Sequence, residues 1–304
     1  MTDNEFQDIL QRYEKAVSAG KQAYFDADDM LDIIDWYMEE ERDDDADKAI
    51  RFARHLHPAN TDICMAEARL RIYQGDYDAA AKIVTGFKSS DEPELNLLAS
   101  DILLHRANQC ADPQFRDKLI SLSENAYEYA LIQSDNDPGF FSSIISQHSR
   151  EELFEQANFW IQRAFKSYPE HPAILDASAL CYALQGRARE AIELANRLID
   201  CDPYNARSWG ILGDILHDFG DYTQALDAYD YVKAIRPDEI LSEQNMADCH
   251  FALGHYAEAY RLYKSALENY AKENLTPPPS TDTDFIQSKL EICEIRMKKG
   301  KSKG

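Results

Sequence analysis

Three kinds of residue recur in this chain at a single interval. Gly186, Gly220 and Gly254 stand 34 residues apart, as do Pro169, Pro203 and Pro237, and as do Ala157, Ala191, Ala225 and Ala259. Different residue types that keep one period at different phases mark one unit of structure repeated along the chain. The register extends upstream, because Ala46 and Ala80 are again 34 apart. Ala80 to Ala157 is 77 residues and Pro58 to Pro169 is 111, which are two and three periods plus nine, so one nine-residue insertion reconciles both series. The units are then 27–60, 61–94, 95–137 with the insertion, 138–171, 172–205, 206–239 and 240–273.

Each unit reads as two helices and a turn. Apolar residues recur at helical spacing, and the chain holds only 11 Gly and 11 Pro, too few for a turn-rich β fold. With positions numbered 1 to 34, Gly at 15 supplies a turn that needs positive φ. Ala at 20 faces a small or branched residue at 8 where the helices approach. Leu175, Tyr182, Phe141, Phe154, Tyr256 and Tyr263 fill the space around that crossing. Pro at 32 ends the second helix. Asn205 and Asp238 can cap the next one, and Asp137 before Pro138 fits an N-cap followed by Pro at the first helical position. Glu41 and Glu152 replace the turn Gly in two units, and Ser123 stands where Ala is expected in the third.

The best-preserved unit is 206–239, with Trp209 at 4, Leu212 at 7, Gly213 at 8, Gly220 at 15, Tyr222 at 17, Ala225 at 20, Tyr229 at 24 and Pro237 at 32. This set closely resembles the tetratricopeptide repeat, and the resemblance covers residues 27–273. It implies an all-α fold, an alpha-alpha superhelix or solenoid of about seven helix-turn-helix repeats.

A single pair of helices cannot bury its apolar face, so the stack needs covers at its ends. Residues 1–26 read as an N-terminal capping segment, with Phe6, Leu10, Tyr13 and Val17 on one helical face before Gly20. Residues 274–284 read as a Pro-rich spacer, 285–298 as a C-terminal capping helix carrying Ile286, Leu290, Cys293 and Met297, and 299–304 as a disordered tail. The helix 285–298 has a second reading, as a docking helix for another chain. The insertion falls near Cys110–Gln114, either as a loop on a binding face or as a longer helix with a looser turn.

The formal charge is −23, from 55 acids against 32 bases. A duplex-binding protein needs clustered Lys and Arg, so nucleic acid and anionic membrane are excluded as partners. The acid excess serves solubility or attracts a basic partner. No stretch approaches the length of a membrane span, and MTDNEFQDIL has no apolar export core. The six cysteines form no CxxC pair and read as reduced thiols, so the cytoplasm is the expected compartment.

No P-loop, GxGxxG, GxSxG, HExxH or EF-hand pattern occurs, and no catalytic residue, metal ligand or cofactor is expected. His55 and His57 form an HxH at a helix end, better placed for the C-terminal dipole than for a metal. His105, His148 and His250 share position 11 and read as packing residues. The stretch Asp26–Asp47 holds twelve acids and one base, Arg42; it is a solvated surface or a contact for a basic segment.

The resemblance implies that first helices line a concave groove through positions 2, 5, 6, 9, 12 and 13. Carried onto this chain, the candidate partner-binding residues are Ser142, Ser146, Asp176, Arg207, Asp214, His217, Gln244, Asn245 and Asp248, with Ser143, Ser149, Asp28, Asp32 and Asp35 in lesser places. A carboxylate clamp for chaperone tails would need Lys at position 5, where this chain has Leu31, Met65, Ala99, Ser142, Asp176, Gly210 and Gln244. Asp176, Asp214 and Asp248 favour Lys and Arg instead. The expected function is a non-catalytic scaffold that binds a basic peptide or protein in the groove, as a monomer or homodimer. The alternative is a spacer that self-associates through its terminal helix.

Overall fold

The computed structural model describes residues 3–19, 23–40, 42–58, 60–87, 92–237, 239–273 and 283–301. Among these, sixteen α-helices and no strand are found. The first helix, α1 (Asp3–Ser18), precedes the pairs α2 (Ala27–Glu39) with α3 (Asp43–Leu56), α4 (Thr61–Tyr73) with α5 (Tyr77–Val84), and α6 (Pro93–Asn108) with α7 (Pro113–Gln133). Next come α8 (Pro138–Arg150) with α9 (Phe154–Ser167), α10 (Pro172–Leu184) with α11 (Ala188–Cys201), α12 (Ala206–Asp218) with α13 (Tyr222–Ile235), and α14 (Ile240–Ala252) with α15 (Tyr256–Glu273). The last helix is α16 (Thr283–Lys301). The chain divides into two compact units, Met1–Phe140 and Phe141–Gly304.

The turns explain the glycine period. Gly75, Gly186, Gly220 and Gly254 all hold φ between 74° and 81°, the left-handed region that closes a helix without a Cβ clash. Glu152 takes the same turn at φ 56°, where a side chain costs about 1–2 kcal/mol. Glu41 lies outside the described residues, as does Asp238. Helix starts are capped as the residue types suggest: Asn205 Oδ1 accepts from the Arg207 amide at 3.0 Å, and Asp137 Oδ1 from the Gly139 amide at 2.7 Å.

The small residues do mark close crossings. Ala46, Ala80, Ala157, Ala191, Ala225 and Ala259 are all fully buried. Ser123, in the place of the missing Ala, is equally buried and donates its hydroxyl to the Ser100 carbonyl at 2.9 Å. At Gly213 the close neighbour is the ring of Tyr229: a Cβ built there would meet it at 2.5 Å. The insertion makes no long loop. It lengthens the second helix of its pair, so that α7 has 21 residues where α9, α11 and α13 have 14 each.

The ends depart from expectation in detail. In α1, Leu10, Tyr13 and Ala16 are buried against α2, whereas Val17, expected on that face, is exposed. Gly20 and the spacer residues 274–282 lie outside the described residues. Helix α16 packs on α15 through Ile286, Leu290 and Cys293, and it extends beyond 285–298 at both ends. Residues 299–301, expected in a disordered tail, continue that helix; 302–304 lie outside the described residues.

Candidate functional site

Within each unit, successive first helices touch: α2 with α4 and α4 with α6 in the first, α10 with α12 and α12 with α14 in the second. Successive second helices share no comparable contact among the described residues. In a curved stack the inner elements crowd and the outer ones spread, so the first helices line the inner side of each unit.

In the second unit this inner side carries most of the expected binding residues, and the structure sorts them into groups. Asp214 is exposed, and its Oδ1 accepts two hydrogen bonds, from the Tyr229 hydroxyl at 2.7 Å and from Asn245 Nδ2 at 3.0 Å. One donor comes from the paired helix α13 and the other from the next first helix, α14. Asp248 repeats the first of these, accepting from the Tyr263 hydroxyl at 2.5 Å. Among the described residues no Lys or Arg pairs with either acid. The Asp214 carboxyl is pushed up to about 6, chiefly because protein atoms crowd out part of its water, with the Tyr229 hydrogen bond opposing the rise. Crowding and exposure coexist here because a group in a concavity is surrounded on most sides yet open on one.

His217, half-buried, lies edge-on to Tyr222 and 3.5 Å from Asp218. The bond to Asp218 raises its pKa, against burial, and Asp248 and Asp214 add to the rise. Asp176 Oδ2 faces the Arg207 guanidinium at 3.3 Å, so this acid and this base pair across α10 and α12, while Asp176 Oδ1 is buried without a hydrogen-bond partner among the described residues. Ser142 and Ser146 on α8 are partly exposed. Ser149 is buried and donates to the Ile145 carbonyl at 2.7 Å, which uses its hydroxyl within its own helix.

Gln244 departs from the expected set. It is fully buried, and its Oε1 accepts from the Tyr270 hydroxyl at 3.2 Å. Helix α15 has 18 residues, not the 14 of α13, and its additional turn brings Tyr270 over position 5 of α14. A guest on the inner face does not reach this amide.

Two residues outside the expected set lie on α10 at positions 9 and 13. Leu180 is 38% exposed and Leu184 63%. They are legible in the sequence, since the same positions of the next repeat hold Asp214 and Asp218. Tyr229 and Tyr263 also went unseen as partners of the acids. The signal was an Asp at position 9 with a Tyr at position 24, in two consecutive repeats.

The first unit arranges its inner acids differently. Arg69 on α4 lies 3.4 Å from Asp35 on α2 and 3.0 Å from Glu94 on α6. Burial raises the pKa of both carboxyls, and Arg69 opposes that rise.

The Cys249 thiol, buried beside Asp248 and Asp214, is pushed up to about 12, so it stays protonated at neutral pH. His57 Nε2 lies 2.8 Å from the Phe25 carbonyl oxygen. Among the described residues no three His, Cys, Asp or Glu side chains converge on a metal position, and no helix is long and apolar enough to cross a membrane.

Residues 156–206 and 204–240 match the tetratricopeptide repeat family model. A TPR repeat-containing protein of Methanocaldococcus jannaschii is 26% identical over 154 residues, which take in 47% of this chain and 27% of the relative. The chain thus spans about a quarter of that curated relative's length. Among solved structures, a tetratricopeptide repeat protein from Parabacteroides merdae gives a TM-score of 0.51 at 12% identity, covering 88% of this chain and 98% of the other. MamA gives 0.45 at 19% identity, covering 54% and 98%.

Proposed function

We propose that this chain, which carries tetratricopeptide repeats, is a non-catalytic cytoplasmic scaffold that binds a basic peptide or protein on the inner face of its second unit. The fold itself is a protein-interaction scaffold: it leaves a row of first helices lined by side chains that the packing does not need. One observation carries the finer reading. Asp214 and Asp248 stand on neighbouring inner helices, each held by a neutral tyrosine hydroxyl, with no Lys or Arg against either among the described residues. A fixed carboxylate without a cation is an acceptor for a guest Lys or Arg. The overall charge of −23 works in the same direction by drawing a basic partner in.

The test is binding of a Lys- and Arg-rich peptide to the full chain, by titration calorimetry at low and high salt. Each added salt step is expected to weaken binding, and Asp214→Asn with Asp248→Asn to weaken it about tenfold. Asn keeps an oxygen for each tyrosine, so the fold is spared. Affinity indifferent to salt and to both substitutions would remove the reading.

A second reading is favoured by α16, where Ile292 is 40% and Ile295 52% exposed on the side away from Ile286 and Cys293. These make a site for self-association. Light scattering on the full chain and on Ile292→Ser with Ile295→Ser decides it, a monomer in both cases removing the idea.

A further inference from the structure

The inner face of the second unit carries acids along α12 and α14, whereas on α10 its acid, Asp176, is paired with Arg207 and the following turns present Leu180 and Leu184. Asn245, at position 6 of α14, reaches Asp214, at position 9 of α12. Position 6 of one first helix therefore lies beside position 9 of the one before it. The same offset, continued along the helix, sets His217 beside Asp248 inside out: position 12 of α12 against position 9 of α14, which agrees with the pull of Asp248 on the His217 proton. Carried one repeat back, it sets Asp214 beside Ala183. Leu180 and Leu184 flank Ala183 on one face of α10 and so lie within a helical turn of Asp214, with Asp218 one turn further along α12.

An exposed leucine is common, but two on one helix face at 38% and 63%, bordered by acids, mark a mixed surface. Nothing in the packing requires them: the buried side of α10 is supplied by Ile174, Leu175, Ala179 and Cys181. Asp218, whose side chain is 76% exposed, lies 3.5 Å from His217 and pairs with no Lys or Arg among the described residues.

We propose that the guest of this face presents an apolar side chain next to a Lys or Arg, the apolar group seated on Leu180 and Leu184 and the cation between Asp214 and Asp218. Helices that touch lie about 8–10 Å apart, so the two groups on the guest are separated by roughly 10 Å. The apolar contact supplies affinity that salt does not screen, and the acids choose the sign of the neighbouring charge. This rests on the reading of a basic partner and adds a second requirement to it.

The test pans a display library of random 12-residue peptides against the full chain, then measures winners as synthetic peptides against the wild type and Leu184→Ser. Leu184 is exposed, so the substitution leaves the fold intact, and circular dichroism verifies this. Enrichment of peptides holding both a large apolar residue and Lys or Arg, with binding weakened about tenfold by Leu184→Ser and by Asp218→Asn, supports the proposal. Enrichment of basic peptides that lack an apolar residue, or that ignore Leu184→Ser, overturns it and leaves the basic-partner reading standing. No enrichment of basic residues overturns both.

Discussion

The two units hold an inner-face acid at the same repeat position in opposite ways. In the first unit Asp35, at position 9 of α2, is met by Arg69, at position 9 of α4, which also meets Glu94. The charges close on themselves and leave little for a guest to neutralise. In the second unit Asp214 and Asp248 at position 9 are met by hydroxyls of Tyr229 and Tyr263. A hydroxyl orients a carboxylate without cancelling its charge. The difference teaches that acidic composition is no guide to a binding face. What matters is whether the fold supplies the cation or leaves it to a partner.

The comparison can be broken by experiment. The largest effect is expected from Tyr229→Ala, which empties the fully packed ring site against Gly213 and strands Asp214. A loss of about 3–5 kcal/mol should appear in denaturant unfolding, with faster hydrogen exchange concentrated in α12 and α13. Exchange that quickens equally in α2–α6 would mean that this tyrosine does not act locally.

Arg69→Ala should cost less, about 1–2 kcal/mol at pH 7, because the guanidinium is partly exposed and screened. The cost should shrink as pH falls and Asp35 and Glu94 take up protons, their carboxyls being already raised by burial. A loss that does not vary with pH would show that Arg69 acts by packing and not by charge. The same variant should also bind basic peptides on the first unit better than the wild type does, which brings the two inner faces closer together.

Smaller again is Tyr229→Phe, about 1 kcal/mol, since it removes one hydroxyl and leaves the ring in place. Its use is to separate orientation from charge. Basic-peptide binding should fall with it, although the net charge is unchanged, if the tyrosine holds Asp214 in position.

The last effect is a slope. The folded carboxyl of Asp214 titrates at about 6, above its ordinary 3.8. Between these values the folded state holds a proton that the unfolded state has lost, so this group favours folding at the acid end and its contribution falls as pH rises through the window. Asp214→Asn removes that fall, so the midpoint difference between variant and wild type should grow in the variant's favour from pH 4 to pH 7. A constant difference would contradict the raised pKa. Binding of a basic peptide to the wild type should strengthen over the same rise, as Asp214 gains its charge.

Much of this was legible in the chain before any coordinates. Gly75, Gly186, Gly220 and Gly254 sit at turns whose positive φ is a local property of the backbone, so a period in glycine is a period in turns. The buried alanines were legible for a similar reason, because only small residues tolerate the crossing. The insertion reads in the sequence as falling between the two helices of its unit with its form open, since nine residues can extend a helix or hang as a loop, and in the structure α7 is the longer helix. Gln244 misled because its cover, Tyr270, belongs to an extra turn of α15 that no other repeat shares. The tie from Asp214 to Tyr229 spans 15 residues and was written in the repeat, yet its meaning needed the angle at which α13 crosses α12.

By itself, then, the sequence determined the helical hairpins and their order, and proposed the polar positions of the inner face, because turns, caps and close crossings depend on residues near one another in the chain. Only the tertiary structure decided which of those positions are spent within the fold and which stay open. Asp176 is answered by Arg207 from the next repeat, Asp35 by Arg69, and Asp214 by neutral donors alone. Each outcome turns on a side chain from another helix, and a period read along one dimension carries no information about how far that side chain reaches.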